Sequence, residues 1–313
     1  MPETAIVYTR WFDPQNVSQT AGPASTRVAA GDRVDVPVYI YDEQIIRAVN
    51  VAGVTGRPLL VEGPSGCGKS SLAEHVAHTM DWDYYRYTVT SRTQAGDLLY
   101  RIDQLKRLGD AEAGQPVADM SKYVEPGVLW KAFDKDGAAS VRPSKKPAEA
   151  DPFGLPGKGR GNGTVVLLDE IDKADPDVPN NLLLPLGSYE FYVDELDFPV
   201  YAQRVPLVVL TTNNERRLPD AFLRRCVNMK LSSPDESHLI TVGRAHYPTA
   251  NSQDVETIAK LLLKISSEKS RPSTAEYLDT VRACIALKIN PNSSDWEWLK
   301  QITAWKQARA LEA

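Results

Sequence analysis

The sequence predicts an α/β protein: a parallel sheet covered by helices, followed by an all-helical C-terminal region. Three observations predict it. Pro58-Leu59-Leu60-Val61-Glu62, Val165-Val166-Leu167-Leu168 and Leu207-Val208-Val209-Leu210 are short apolar runs, as strands buried on both faces require. Helical patterns alternate with them, which is the arrangement of a parallel sheet. After Val227-Asn228-Met229-Lys230 the strand character ends, and only helical segments follow.

The elements can be justified in chain order. Residues 1–35 mix Pro, Gly, Ser and Thr with little periodicity and read as an extension or a short β element. Asp42 to Val54 is expected to be helical, with Ile45, Ile46, Val49 and Val54 near one face and Asp42 as cap. Gly56 ends it, and the strand 58–62 runs into a glycine-rich turn at Gly63. A helix is expected from about Lys69 to Met80, with Leu72, His75, Val76 and Thr79 at helical spacing, then a strand over Tyr84 to Val89. Between Phe133 and Gly163, Gly and Pro recur among Arg142, Lys145, Lys146, Lys158 and Arg160. That segment, about 134–163, reads as a long basic loop that is either a solvated insertion or a partner contact. Ser233-Pro234-Asp235-Glu236 is a helix start with Pro at the first helical position. Four helical segments follow. The last carries Trp298, Ile302 and Trp305 on one stripe, expected to pack into a core, with a cofactor or peptide groove as the other reading. The α/β part therefore spans 36–232 and the helical part 233–313.

Composition narrows the function classes. The 313 residues carry 36 Lys+Arg and 41 Asp+Glu, a net charge of −5, with 42% hydrophobic residues; this is the balance of a globular protein rather than of a nucleic-acid coat. No run approaches the roughly 18–20 apolar residues of a membrane span. Met1-Pro2-Glu3-Thr4 does not open like a signal peptide. Cys67, Cys226 and Cys284 are dispersed, without disulfide or zinc spacing. A reducing, cytoplasmic location is expected.

Gly63-Pro64-Ser65-Gly66-Cys67-Gly68-Lys69-Ser70, followed by Ser71, fits the phosphate-binding pattern G-x-x-x-x-G-K-[ST]. Its context, after an apolar strand and before a helix, is the one the chemistry needs. Glycines let successive N–H groups turn inward around phosphate oxygens, and the helix start presents its positive end to the anion. Lys69 is expected to reach the β- and γ-phosphates and the Ser70 hydroxyl to join the shell of Mg²⁺. Asp169-Glu170 closes the second apolar strand, where ligands of open α/β sheets bind. Asp169 can hold Mg²⁺ through water, and Glu170 can deprotonate an attacking water. Asn213, at the tip of the third strand, can hydrogen-bond the γ-phosphate or that water. Arg224 and Arg225 follow soon after; either serves solubility, or one is lent to a neighbouring subunit as an arginine finger.

With these elements in this order the chain resembles the AAA+ ATPases, and within them the MoxR-like group, from about Asp42 to the C-terminus. The motifs that carry the resemblance are Asp169-Glu170-Ile171-Asp172-Lys173-Ala174, Thr212-Asn213 and Leu218-Pro219-Asp220-Ala221-Phe222-Leu223-Arg224-Arg225. The resemblance implies a P-loop NTPase core with a helical lid, hydrolysis of ATP with Mg²⁺, and a homo-oligomeric ring, hexameric in this group. It implies Asn213 as sensor 1 and Arg225, with Arg224 beside it, as the finger. Ser188-Tyr189-Glu190-Phe191-Tyr192-Val193 to Ala202 looks like the hairpin that the group carries before sensor 1. A protein partner is implied, in this group commonly one with a von Willebrand factor A domain. Where the group often has a nucleotide-sensing arginine, Arg271-Pro272-Ser273-Thr274-Ala275-Glu276 has alanine, leaving Arg271 and Arg282 as candidates. Tyr39, Ile40 and Tyr41 are candidates for an adenine pocket. Two other readings stand beside this one: a nucleic-acid-directed motor, which the acidic charge disfavours, and a nucleotide-held binding switch, which could dispense with Glu170.

Overall fold

The computed structural model describes residues 10–14, 38–146, 163–265, 271–291 and 293–303. The chain divides into two compact units. One comprises Met1–Ala21, Tyr41–Val61 and Val76–Met229; the other comprises Gly22–Ile40, Glu62–His75 and Lys230–Ala313.

In the first unit, α1 (Glu43–Thr55) is capped by Asp42, whose carboxylate accepts from the Ile45 N–H, and ends at Gly56 in the left-handed region. β1 (Leu59–Glu62) follows, and after the glycine-rich turn come α2 (Lys69–Met80) and β2 (Asp83–Thr88). Next are α3 (Ala95–Leu99), β3 (Tyr100–Ile102), α4 (Gln104–Glu112), β4 (Val124–Pro126), α5 (Val128–Phe133) and α6 (Lys135–Ser140). β5 (Thr164–Asp169), α7 (Asp177–Asn181), α8 (Pro185–Ser188), β6 (Glu190–Val193), β7 (Phe198–Tyr201), β8 (Leu207–Thr212), α9 (Asp220–Leu223) and β9 (Val227–Lys230) complete the order.

Five strands form the main sheet in the order β2-β5-β8-β1-β9. β5 is parallel to β2, from Asp83 opposite Thr164 to Thr88 opposite Asp169, and parallel to β8, from Val165 opposite Leu207 to Leu168 opposite Leu210. The Val227 N–H donates to the Pro58 carbonyl and the Leu231 N–H to that of Glu62, an equal stride on both strands, as in a parallel pair. Leu59, Leu60, Val61, Val165 to Leu168 and Val208 to Leu210 are buried, which is why these segments are apolar without alternation. Two antiparallel hairpins, β3-β4 and β6-β7, lie outside the main sheet, the second with Glu190 opposite Tyr201. Trp130 of α5 is fully buried. Its ring meets Phe191 at 5.9 Å and Phe198 at 6.0 Å, edge to face, and this joins α5 to the β6-β7 hairpin.

Lys230–Ala313 of the second unit carries α10 (Glu236–His246), α11 (Ser252–Ile265), α12 (Thr274–Leu287) and α13 (Asp295–Thr303). Leu239, Val255, Ile258, Leu262, Tyr277, Val281, Trp296 and Leu299 form their common core. The Tyr277 hydroxyl donates to the Val255 carbonyl at 3.1 Å.

The structure corrects several sequence expectations. Val54 faces out, while Ala52 and Asn50 are buried with Ile45, Ile46 and Val49. Asn50 has polar work inside: its side chain bonds the backbone of Trp11 and Phe12. Trp11 also stacks on Trp82 at 5.6 Å, so residues 10–14 of the expected extension pack on the α/β unit. The rest of residues 1–35 lies outside the described residues. The basic segment does not begin as loop. α6 occupies Lys135–Ser140, capped by Asp134, whose other oxygen accepts from Ser144; 147–162 lie outside the described residues. α10 starts two residues later than Pro234 suggested, because Asp235 is the cap and accepts from the His238 N–H at 2.7 Å. On α13 the buried pair is Trp296 and Leu299, whereas Trp298 and Ile302 are exposed; Trp305 is outside the described residues. An i, i+4, i+7 stripe fixes a face but not its direction, and the neighbouring Trp296-Leu299 pair wins the core.

Candidate functional site

The phosphate-loop residues belong to the second unit. The loop leaves β1, and Gly66 and Gly68 adopt φ of +75° and +94°, which side chains resist. Space forbids a side chain as well. A Cβ on Gly66 would lie 2.7 Å from both Cβ and Oγ of Ser273, and one on Gly68 would lie 3.3 Å from the Tyr39 ring. The Gly66 carbonyl accepts the Ala275 N–H at 3.2 Å. Ser273 caps α12 in a reciprocal box with Glu276. The stretch in which the resemblance placed a sensing arginine thus seats its backbone on the phosphate loop. Lys69 is buried, and its ammonium donates to the carbonyls of Gly63 and Pro64, both at 2.8 Å. Cys67 is half-buried, and burial pushes its thiol up against the opposing pull of Lys69. Ser65 and Ser71 are exposed, Ser70 half-buried. Tyr39 stands by Gly68 and 6.1 Å from the His75 ring, whereas Tyr41 packs edge-on against Phe12.

The acidic pair belongs to the first unit. Asp169 ends β5 and is buried. Its Oδ1 accepts the Thr211 hydroxyl at 2.6 Å and its Oδ2 accepts the Arg86 guanidinium at 2.7 Å. Glu170 follows in the left-handed region at φ +61°. Its N–H donates to the same Thr211 oxygen at 2.8 Å, so one hydroxyl on β8 fixes both acids. The Glu170 carboxylate accepts the Lys173 ammonium at 2.7 Å, and this bond holds the lysine above its ordinary pKa. Asp172 is buried and accepts the N–H groups of Asn213 at 3.2 Å and Glu215 at 2.9 Å. It therefore ties the turn after β5 to the turn after β8, and Asn213 stays half-buried there.

Arg224 and Arg225 follow α9 and both are exposed. Arg225 borders a cavity of about 280 Å³ lined also by Arg57, Tyr189, Phe222 and Cys226. Neither Asp169 nor Glu170 lines it.

Sequence reasoning gave no role to Arg86, Thr211, Asp172 or Lys173. Two signals were present. Thr211-Thr212 puts hydroxyls at the end of a fully buried strand, where each needs a partner. Arg86 is the one basic residue of β2.

As to metal, no group of three or more His, Cys, Asp or Glu converges among the described residues. Asp169 in the first unit and the Ser70 hydroxyl in the second are each hard oxygen donors of the kind that Mg²⁺ takes. No helix among the described residues is long and apolar enough to cross a membrane.

Comparison with known proteins places the chain in a family. Residues 58–226 match the model of the AAA domain of the dynein-related subfamily. The gas vesicle ATPase GvpN of Haloferax mediterranei is 25% identical over 223 residues, 67% of this chain and 56% of that protein. NorQ of Paracoccus denitrificans is 22% identical over 200 residues, 62% of this chain and 72% of that one. The chain thus spans little more than half of the haloarchaeal relative. Among solved structures, the RuvB Holliday junction branch migration motor of Thermotoga maritima aligns with TM-score 0.44 and 14% identity, over 86% of this chain and 67% of that one. A family model that spans the glycine-rich loop, the acidic pair and both arginines leaves one conclusion: the chain belongs to the AAA domain family, dynein-related subfamily, as a MoxR-like AAA+ ATPase.

Proposed function

We propose that the chain is a magnesium-dependent ATPase that works as a homo-oligomeric ring and remodels or activates a protein partner. The observation that carries the reading is the single Thr211 hydroxyl that fixes both Asp169 and Glu170; a mere nucleotide-held switch has no need of a positioned base. In this reading residues 36–232 are the nucleotide-binding core and 233–313 the lid. The N–H groups of Gly63 and of Ser65 to Ser71 and the Lys69 ammonium hold the phosphates of ATP, and Tyr39 borders the adenine. Ser70 and Asp169 are the residues that would hold Mg²⁺, which when bound would neutralise charge on the phosphates. Glu170 takes a proton from water as the water oxygen bonds to the γ-phosphorus. The bond to the β,γ-bridging oxygen breaks and ADP leaves. Lys173 holds the Glu170 carboxylate through an ion pair of 2.7 Å. Asn213 orients the water.

Arg225, with Arg224 beside it, is exposed at the end of α9, which suits an arginine that acts on a neighbouring subunit's nucleotide. The name of the haloarchaeal relative, a gas vesicle ATPase, supports ATP as substrate. Six copies in the ring, a von Willebrand factor A domain partner and a cytoplasmic location complete the reading. Purified wild type, Lys69→Ala and Glu170→Gln proteins test it by nucleotide titration and phosphate release. Lys69→Ala should lose binding, while Glu170→Gln should bind and not turn over. Equal loss of binding in both would refute the assigned roles.

A further inference from the structure

We propose that the cavity beside Arg225 is a binding site for a small organic anion, an apolar body that carries one carboxylate or sulfonate. The proposal goes beyond the nucleotide reading and does not depend on it. Every residue that lines the cavity belongs to the first unit. Its volume of about 280 Å³ lies at the lower end of the roughly 300–1,000 Å³ of small-molecule sites, so the ligand is small. The lining is of two kinds. Leu183, Leu186 and Phe222 make it apolar, the last two being buried. Arg57 and Arg225 make it positive, and among the described residues no Asp or Glu lines it.

The other polar side chains of the lining are already engaged by backbone. The Thr55 hydroxyl donates to the Val51 carbonyl at 2.7 Å, the Tyr189 hydroxyl to that of Gly56, and the Cys226 thiol to that of Phe222 at 3.4 Å. The two guanidinium groups are not engaged. Among the described residues neither makes an ion pair or a side-chain hydrogen bond, whereas Arg10, Arg47, Arg101, Arg217 and Arg244 each meet a carboxylate. Arg57 acts on the cavity wall: burial raises the Cys226 thiol, and the Arg57 charge pulls against it. Two cations without a counter-charge select an anion, and the apolar lining selects one with a hydrophobic body. Inorganic phosphate would satisfy the arginines and leave Leu183, Leu186 and Phe222 uncovered. A neutral ring would do the reverse. Because both arginines are exposed, their charge orients the ligand, and apolar contact supplies most of the affinity.

The test uses two fluorescent dyes with a common apolar body: anilinonaphthalene sulfonate, an anion, and N-phenylnaphthylamine, which is neutral. Each is titrated into the full chain in the absence of nucleotide. Arg57→Gln should weaken the sulfonate about fivefold and leave the neutral dye unchanged. Gly187→Glu adds a carboxylate to the lining at a position where a Cβ meets nothing within 4 Å. It too should weaken the sulfonate alone. Phenylpropionate should displace the sulfonate dye, whereas phenylethylamine, of opposite charge, should not. Arg107→Gln, between the exposed Leu105 and Leu108 of α4, should change neither affinity, and nor should Lys69→Ala in the phosphate loop. Equal sulfonate binding by wild type, Arg57→Gln and Gly187→Glu overturns the proposal. Binding that falls with Arg107→Gln or Lys69→Ala would put the dye on α4 or in the phosphate loop, which also overturns it. Wild type that binds neither dye overturns it as well.

Discussion

Replacing Thr211 by valine keeps the shape of a residue with no solvent exposure and removes only its hydroxyl. That hydroxyl makes two bonds. One is donated to the buried Asp169 carboxylate at 2.6 Å, and one is accepted from the Glu170 N–H at 2.8 Å. A hydrogen bond to a charged group contributes about 1.5–3 kcal/mol, and an orphaned N–H costs about 1–3 kcal/mol. Asp169 keeps Arg86, and Glu170 is only part-buried, so the lower ends apply and the sum is about 2.5 kcal/mol. Urea unfolding should show that loss of stability. If half of it is spent on holding Asp169 and Glu170 in place during hydrolysis, turnover falls about eightfold. Affinity for a non-hydrolysable ATP analogue in chelator should change little, because the phosphate loop is not touched. Thr211→Ser restores the hydroxyl and should recover most of both losses. Wild-type stability together with wild-type turnover in Thr211→Val would refute the bridging role.

Three further outcomes are expected. Arg225→Ala should bind the analogue nearly as well as wild type but hydrolyse ATP far more slowly, by up to about 10³-fold. Mixing it with Glu170→Gln subunits should restore part of the activity, and co-assembly without recovery would shift the test to Arg224. Gly66→Ala meets both a left-handed φ and the Ser273 side chain at 2.7 Å; nucleotide affinity measured by calorimetry should drop about tenfold or more. Burial lifts the Cys226 thiol from its ordinary 9.0 to about 12. It should therefore resist iodoacetamide at pH 8 in the native protein and react at once in denaturant. Because the folded value is the higher one, the thiol's contribution to stability is complete below about pH 9 and is lost as pH climbs toward about 12. Alkaline unfolding midpoints of Cys226→Ala against wild type check this.

Much of the fold was legible because burial on two faces leaves a plain mark. Val165 to Leu168 and Leu207 to Leu210 could hardly be anything but central strands, and Asp42 announced the start of α1. The glycine-rich loop and the acidic pair were legible for another reason, namely that phosphate chemistry tolerates few substitutes at fixed spacing. What escaped were contacts between distant segments. No local pattern says that Arg86 reaches Asp169, since strand order decides that neighbourhood. Nor does any local pattern say that Asp172 holds the Asn213 turn. The face of α13 was misread because Trp298 and Ile302 make as good a stripe as Trp296 and Leu299. The choice between them belongs to the helices that they meet.

The seating of Ala275 on the Gly66 carbonyl turns α12 into a lever. Its 14 residues make an arm of about 21 Å at 1.5 Å per residue. If its far end serves as the pivot, a shift of about 1 Å where Ala275 rests swings the helix by about 3°. The arm is stiff, since Tyr277 and Val281 are gripped by the core of their own unit. A change in the phosphate loop therefore needs no arginine to be felt. It is passed on as rotation of a rigid rod whose first turn rests on the glycine-rich peptide.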